Sequence, residues 1–199
     1  MIVLVRHGAT AWSTSRRHTG RTDIPLTDEG CAQAAALAPV LAGLRPDRVL
    51  TSPLSRARDT CELAGFGDRA ELDDRLLEWD YGAAEGRTTA EIREESDPAW
   101  SVWTHPVADA EPLAAVAARV DSLIAELRGA GESSVALVFA HAHLLRILGA
   151  RWCGLDAGAG QNLVLDPASI SVLGTEREAP VIERWNVVAA LFSPGDASS

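Results

Sequence analysis

The chain has 199 residues, 47% of them hydrophobic, and a formal net charge of -10. That is the length of one domain with room for one sizeable core, and the acidic balance speaks against nucleic acid and anionic membrane surfaces, both of which demand basic patches. All 18 basic residues are Arg, which excludes a Schiff-base lysine or a P-loop lysine and leaves Arg, His and backbone N–H groups to build any cationic phosphate site.

Cys31, Cys61 and Cys153 are widely spaced and form no CxxC pair, a pattern of free thiols in a reducing cytosol rather than a disulfide framework. No basic segment precedes the first apolar run, which is too short for a secretory signal, and no apolar stretch has the length to cross a bilayer. The expectation is a cytoplasmic protein forming a single domain over residues 1–199.

In chain order, Ile2-Val3-Leu4-Val5 is a continuous apolar run rich in β-branched residues, the pattern of a strand buried on both faces. It stops at Arg6-His7-Gly8. Ala11 to Pro25 is polar and Arg-rich and is predicted as a loop over the strand end. Thr27 is positioned to cap a helix whose first turn holds Asp28 and Glu29, continuing from Cys31 to Leu41 with an interruption near Pro39. Val49-Leu50-Thr51 is a second strand, Ser55 to Ala64 a helix, and Glu71-Leu72 a short edge strand. From Arg75 to Pro112 the pattern is irregular, with a helix from a Thr88 cap through Glu95. Leu113 to Leu127 is amphipathic. Val135 to Ala140 is another buried strand, followed by His141-Ala142-His143 and a helix from Leu144 to Trp152. Ile170 to Leu173 and Val181 to Trp185 are predicted to pair around a turn at Gly174-Thr175, and Ser193 to Ser199 reads as a frayed tail. Strands alternating with helices predict a three-layer α/β/α sandwich on a mostly parallel mixed sheet.

Two core strands thus end in a histidine, at His7 and His141, and a third runs into Ser52-Pro53-Leu54-Ser55-Arg56. In open α/β sheets ligands bind at the carboxyl ends of the strands. Parallel neighbours would bring two imidazoles and the guanidiniums of Arg6 and Arg56 to one edge, which suits a phosphoryl group and its in-line nucleophile. Taken singly, each element has a plainer reading: Arg6-His7 as a structural pair, Arg56 as a solvated helix charge, Glu78 as a surface acid, and His141 with His143 as half a zinc site lacking further ligands.

Five stretches, in order, resemble the motifs of the histidine phosphatase superfamily, the phosphoglycerate mutase-like proteins. They are Arg6 to Trp12, Gly20 to Thr27, Thr51 to Thr60, Glu78-Trp79-Asp80-Tyr81-Gly82 with Glu85-Gly86, and Phe139 to His143 with Arg146. The resemblance spans nearly the whole chain. It implies His7 as the nucleophile that becomes phosphohistidine. Arg6, Arg56 and His141 would hold the transferring oxygens. Glu78 would be the general acid and then the base, with Glu111 as the next candidate. Ser13, Arg17, Thr19, Gly20 and His143 are expected to bind substrate, Trp100 and Trp103 to edge the pocket, and Arg16 and Arg21 to be solvated. No metal or other cofactor is required.

The chain departs from the mutase pattern. Ser13 stands where mutases usually carry Asn, Ala142 where Gly is usual, and the Glu78 to Pro112 stretch lacks the Arg- and Pro-rich motifs that grip phosphoglycerate. Trp12-Ser13, His18-Thr19-Gly20 and His143 instead resemble acid phosphatases and sugar-bisphosphate phosphatases. The expected activity is therefore that of a metal-independent, broad-specificity phosphomonoesterase acting on small phosphorylated molecules, sugar phosphates among them, in a family whose members often form homodimers. Phosphoglycerate mutase is the alternative. A catalytically silent phospholigand-binding module is a third reading, disfavoured because His7, Arg6, Arg56, Glu78 and His141 are all present.

Overall fold

The computed structural model describes residues 1–131 and 133–189; the expected frayed tail lies outside them. Six strands form one sheet: β1 (Ile2–Arg6), β2 (Arg48–Thr51), β3 (Ala70–Leu72), β4 (Ala136–Ala140), β5 (Ile170–Glu176) and β6 (Ala179–Val187). Their spatial order is β3-β2-β4-β1-β5-β6. β1 and β2 each pair parallel with β4, and β3 runs parallel to β2. β5 and β6 add an antiparallel edge.

The apolar runs follow from burial on both faces. Ile2 and Leu4 enter one core with Val138 and Ala140, while Val3 and Val5 enter the other with Leu137 and Phe139. Because side chains alternate across a strand, a run with both faces covered has no polar position. The first core is closed by α6 (Leu113–Gly129), through Val116, Val120 and Leu123, and by α7 (Ala142–Trp152), through Leu144, Leu145 and Leu148. The second is closed by α3 (Leu37–Leu41) and by α4 (Ser55–Leu63), which contributes Cys61. Burial pushes the Cys61 thiol up to about 12, so it behaves as an apolar filler. The three layers are thus helices, sheet, helices. Among the described residues no helix is long and apolar enough to cross a membrane.

The sheet register sets the site. Arg6 pairs with Ala140, and Thr51 with Phe139. One residue further on, the His7 N–H donates to the Ala140 carbonyl at 3.0 Å and the Ser52 N–H to the Phe139 carbonyl at 3.0 Å. His7, Ser52 and His141 therefore leave the sheet side by side.

Some local expectations need correction. The stretch read as loop from Ala11 contains a helical turn, α1 (Ala11–Thr14), because Thr10 and Ser13 form a reciprocal capping box. After Thr27, α2 (Asp28–Ala35) stops at Ala36 rather than at Pro39. Pro39 lies in the first turn of α3, where its missing N–H costs nothing. The β5–β6 turn falls at Arg177-Glu178, with Glu176 paired to Ala179 and Arg177 at φ 55°. Gly174 stays inside the strand, where its carbonyl accepts from Trp152 Nε1 at 3.0 Å. The helix predicted from the Thr88 cap is α5 (Thr89–Glu95), with a Thr88–Glu91 capping box.

Gly8 is required by close approach rather than by its torsion. A Cβ there would meet the Gly30 carbonyl oxygen at 2.3 Å, and a Cβ on Gly30 would meet the Ala9 oxygen at 2.0 Å. The exit of β1 thus lies backbone-to-backbone on α2. Gly8→Ala should force these segments apart at a cost of about 1–3 kcal/mol. Thermal unfolding should show it as a drop of roughly 2–4 °C per kcal/mol in a domain of this size; an unchanged Tm would mean that the contact is slack.

Candidate active site

A cavity of about 380 Å³ opens beyond the carboxyl ends of β1 and β4, within the roughly 300–1,000 Å³ usual for small-molecule sites. Arg6, His7 and Glu78 lie at its base, and His143, Trp103 and Arg17 line its walls.

His7 is 4% exposed. Its Nδ1 lies 2.7 Å from the Gly8 carbonyl oxygen. A carbonyl can only accept, so Nδ1 carries the proton and Nε2 carries the lone pair. The one sealed side-chain nitrogen or oxygen without a partner among the described residues is Arg6 Nε. His7 Nε2, which also has no partner among the described residues, is therefore open to the cavity that the ring lines. Burial, reinforced by Arg6 and Arg56, holds the imidazole well below its ordinary value, so the ring is neutral near pH 7.

Arg6 donates through Nη1 to the Leu165 carbonyl and leaves Nε unpaired. A buried unpaired donor is costly; Nη2, by contrast, has no partner among the described residues and is not sealed, so it is the group Arg6 offers to the cavity it lines. Burial lowers the Arg6 pKa to about 10, opposed by Glu78 and Asp166, so the group remains a cation at neutral pH.

Arg56 departs from the expected solvent- or substrate-facing role. It is wholly buried in the first turn of α4 and does not line the cavity. Its Nε donates to His141 Nδ1 at 3.1 Å, Nη1 to the Thr22 carbonyl at 2.9 Å, and Nη2 to the Gly20 carbonyl at 2.8 Å. Accepting at Nδ1 places the His141 proton on Nε2, which donates to Ser52 Oγ at 2.8 Å. The two imidazoles lie 5.2 Å apart between ring centroids.

Glu78 is 3% exposed. Its Oε1 accepts from the N–H groups of Trp79 (3.0 Å) and Leu144 (2.9 Å), and its Oε2 from that of His143 (3.0 Å). The carboxyl group thus caps the N-terminus of α7, accepting from its orphan N–H groups. Oε2 has one bond fewer than Oε1 and is the oxygen left to exchange a proton. From behind, Arg119 donates to the Leu77 and Glu78 carbonyls at 2.6 and 3.3 Å. Glu111 is held by Arg119 at 2.8 Å and does not line the cavity, which removes it as an alternative acid.

The remaining expected contacts divide. Arg17 and Thr19 line the cavity, although Arg17 is tied to the Gly86 carbonyl (2.7 Å) and to Glu91 (3.0 Å), and the Thr19 hydroxyl donates to the Arg17 carbonyl at 3.0 Å. Ser13 lines it too, but its hydroxyl proton goes to the Thr10 carbonyl at 3.0 Å. Gly20 does not reach it: its N–H meets Glu85 at 2.7 Å and its carbonyl meets Arg56. Arg16 is exposed, as expected, and also lines the cavity, from a left-handed backbone at φ 58°. Arg21 contacts Glu111 at 3.4 Å. Trp103 borders the cavity, whereas Trp100 is buried against His18. Sequence reasoning missed Tyr81 as a lining residue, and with it the wall formed by His18, Thr89, Arg93 and Ser101. No local pattern marks that wall, which comes from segments far apart in the chain.

The rings of His141 and His143 have separate partners, Arg56 and Ser52 for one and Tyr81 for the other. Among the described residues no group of three or more His, Cys, Asp or Glu is placed to hold a metal ion. An unprotonated imidazole nitrogen, a cation with an unspent N–H and a carboxyl group, all facing one cavity, can take a phosphoryl group from oxygen to nitrogen.

Residues 2–188 match the family model described as histidine phosphatase superfamily (branch 1). An acid phosphatase of Mycobacterium tuberculosis is 42% identical over 177 residues, covering 88% of this chain and 86% of that protein. A sedoheptulose 1,7-bisphosphatase of Saccharomyces cerevisiae is 35% identical over 182 residues, covering 77% and 67%. The solved structure of an open reading frame product from Mycobacterium tuberculosis superposes with a TM-score of 0.88 at 38% identity, over 94% of this chain and 97% of that one.

The buried rings make stability depend on pH. His7, His141 and His143 are held well below 6.5, and His18 is at about 4, in each case chiefly by burial. Below pH 6.5 the unfolded chain binds protons that the folded chain refuses, so stability is full above that value and is lost as pH falls. Tm measured by calorimetry should decline from pH 6.5 through about 4. A flat profile across that window would show that the rings are charged in the folded protein.

Proposed function

The chain belongs to the histidine phosphatase superfamily and is a phosphoric monoester hydrolase, and from that premise we propose that it works without a metal, through a phosphohistidine on His7. The observation that carries the proposal is the His7 ring, with Nδ1 held by the Gly8 carbonyl and Nε2 open to the cavity. The Nε2 lone pair attacks phosphorus, the bond from phosphorus to the ester oxygen breaks, and Glu78 gives its proton to the departing alkoxide. Water then attacks the phosphohistidine, the Glu78 carboxylate takes a proton from it, and the P–N pair returns to Nε2. Arg6 supplies the N–H groups of its unsealed Nη2 to the transferring oxygens. Arg56 holds the positive field beneath His7, His141 stands neutral beside it, and a bound phosphoryl group would compete with Ser52 for the His141 Nε2–H.

The proposed substrates are small phosphomonoesters, sugar phosphates among them, as the names of the relatives suggest. The proposal places one such domain over residues 1–199 in the cytoplasm, with a homodimer as the assembly to test. Phosphoglycerate isomerisation should be absent, since the Ser13 proton is already committed to Thr10.

His7→Ala should abolish turnover and keep the fold. Mass spectrometry of acid-free quenched wild type should find one added phosphoryl on His7 during turnover. Substantial residual activity in pure His7→Ala enzyme would remove the nucleophile assignment.

Glu78→Gln should slow an alkyl phosphate far more than 4-nitrophenyl phosphate, because the alkoxide must be protonated to leave and the nitrophenolate needs little help. The alkyl loss should approach the ~10²–10⁴-fold typical of general acid catalysis. Glu78 also caps α7, so the variant should lose stability; the ratio of the two rates cancels the amount of folded enzyme. Equal fractional losses on both esters would take the acid role away from Glu78.

A further inference from the structure

Tyr81 lies in the segment that follows Glu78 and is 1% exposed. Its hydroxyl is 2.5 Å from His143 Nδ1, and no other partner is found for it among the described residues. Burial raises the phenol well above its ordinary value, so it is protonated, and lowers His143, so that ring is neutral. With no other acceptor for the phenol among the described residues, its O–H donates to Nδ1, and the ring proton then sits on Nε2.

Among the described residues His143 Nε2 has no partner, yet the one sealed unpartnered atom there is Arg6 Nε. Nε2 is therefore reached from the cavity, which His143 lines. The ring is held by aromatic neighbours, with Trp103 at 5.0 Å, Tyr81 at 5.6 Å and Trp79 at 6.4 Å between centroids. The backbone N–H of the same residue donates to Glu78 Oε2 at 3.0 Å. One residue thus binds Oε2 of the acid through its backbone and presents to the same cavity a fixed N–H donor with no partner among the described residues.

We infer that Tyr81 locks His143 as an Nε2–H donor for a second oxygen on the leaving group, close to the ester oxygen that Glu78 protonates. His143 is a specificity residue and Tyr81 its positioning residue. The enzyme would then select phosphomonoesters of polyhydroxylated alcohols over plain alkyl esters, because an ester without that oxygen leaves the donor dry and unpaired. The inference rests on the proposed function and deepens it.

The test compares glycerol 1-phosphate with n-propyl phosphate, which differ only in their hydroxyl groups, and uses 4-nitrophenyl phosphate as the activity control. Wild type should favour the glycerol ester in kcat/KM. His143→Leu should cut that preference about tenfold or more, while His143→Gln, whose amide nitrogen can stand near the Nε2 position, should restore most of it. Tyr81→Phe should give an intermediate loss. ¹⁵N NMR of wild type should show His143 protonated on Nε2 and bare on Nδ1, and Tyr81→Phe should shift it toward a mixture of tautomers. Wild-type enzyme without the preference, or a preference untouched by His143→Leu, overturns the inference and leaves the phosphatase standing. A wild-type ring protonated on Nδ1 overturns it even if every variant misfolds. Absence of hydrolysis of all three esters would instead bring down the parent reading.

Discussion

A guanidinium with no exposed surface holds this site together. Arg56 is among the largest fully buried side chains, and the nearest carboxylate, Asp23, is half exposed and 4.0 Å away. A buried charge is tolerable only when its donors are satisfied. Here they are satisfied by the loop that would cover the active site, at the Thr19, Gly20 and Thr22 carbonyls, and by His141. The same bonds that stabilise the cation therefore fold the loop onto α4 and select the His141 tautomer. Thr60 extends the arrangement: its hydroxyl donates to the Arg56 carbonyl at 2.7 Å and accepts from the Gly8 N–H at 3.0 Å, so α4 is tied to the segment that carries His7.

Around this cation the protein keeps its histidines neutral. Desolvation is the first cause for His7, His141 and His143, and neighbouring Arg residues add to it. For a nucleophile this is the useful direction, because a protonated imidazole has no lone pair to give. The surface charge points the other way: a chain of net charge -10 concentrates Arg6, Arg16, Arg17 and Arg93 on one cavity. The carboxyl group there, Glu78, is engaged by backbone N–H groups. A low-dielectric cleft lined with one sign of charge focuses its field on an anionic substrate.

Much of this was legible in the chain. Apolar runs without polar alternation marked β1 and β4 as central strands, and the strand-end rule pointed to His7, Ser52 and His141. Short-range signals of this kind succeed because capping, period and buried strand composition are local. They failed where a local signal had a competing use. Gly174 looked like a turn and is a strand residue that meets Trp152. Ser13 lines the cavity, yet its hydroxyl proton is spent within the capping box of α1. Gly20 looked like a ligand loop and is an acceptor for Arg56.

The sequence by itself determined that buried parallel strands would end in Arg, His and Ser, and that any phosphate site would be built without lysine. Which face each polar group presents was decided only by tertiary contact. Arg56 turns inward because loop carbonyls and His141 meet it there. Glu78 becomes part of a helix cap because α7 begins beside it, and His143 faces the cavity as a donor because Tyr81 occupies its other nitrogen. A hydrogen bond between residues dozens of positions apart leaves no local trace in the chain, yet in a dry interior it chooses the tautomer, the rotamer and the direction in which each group can act.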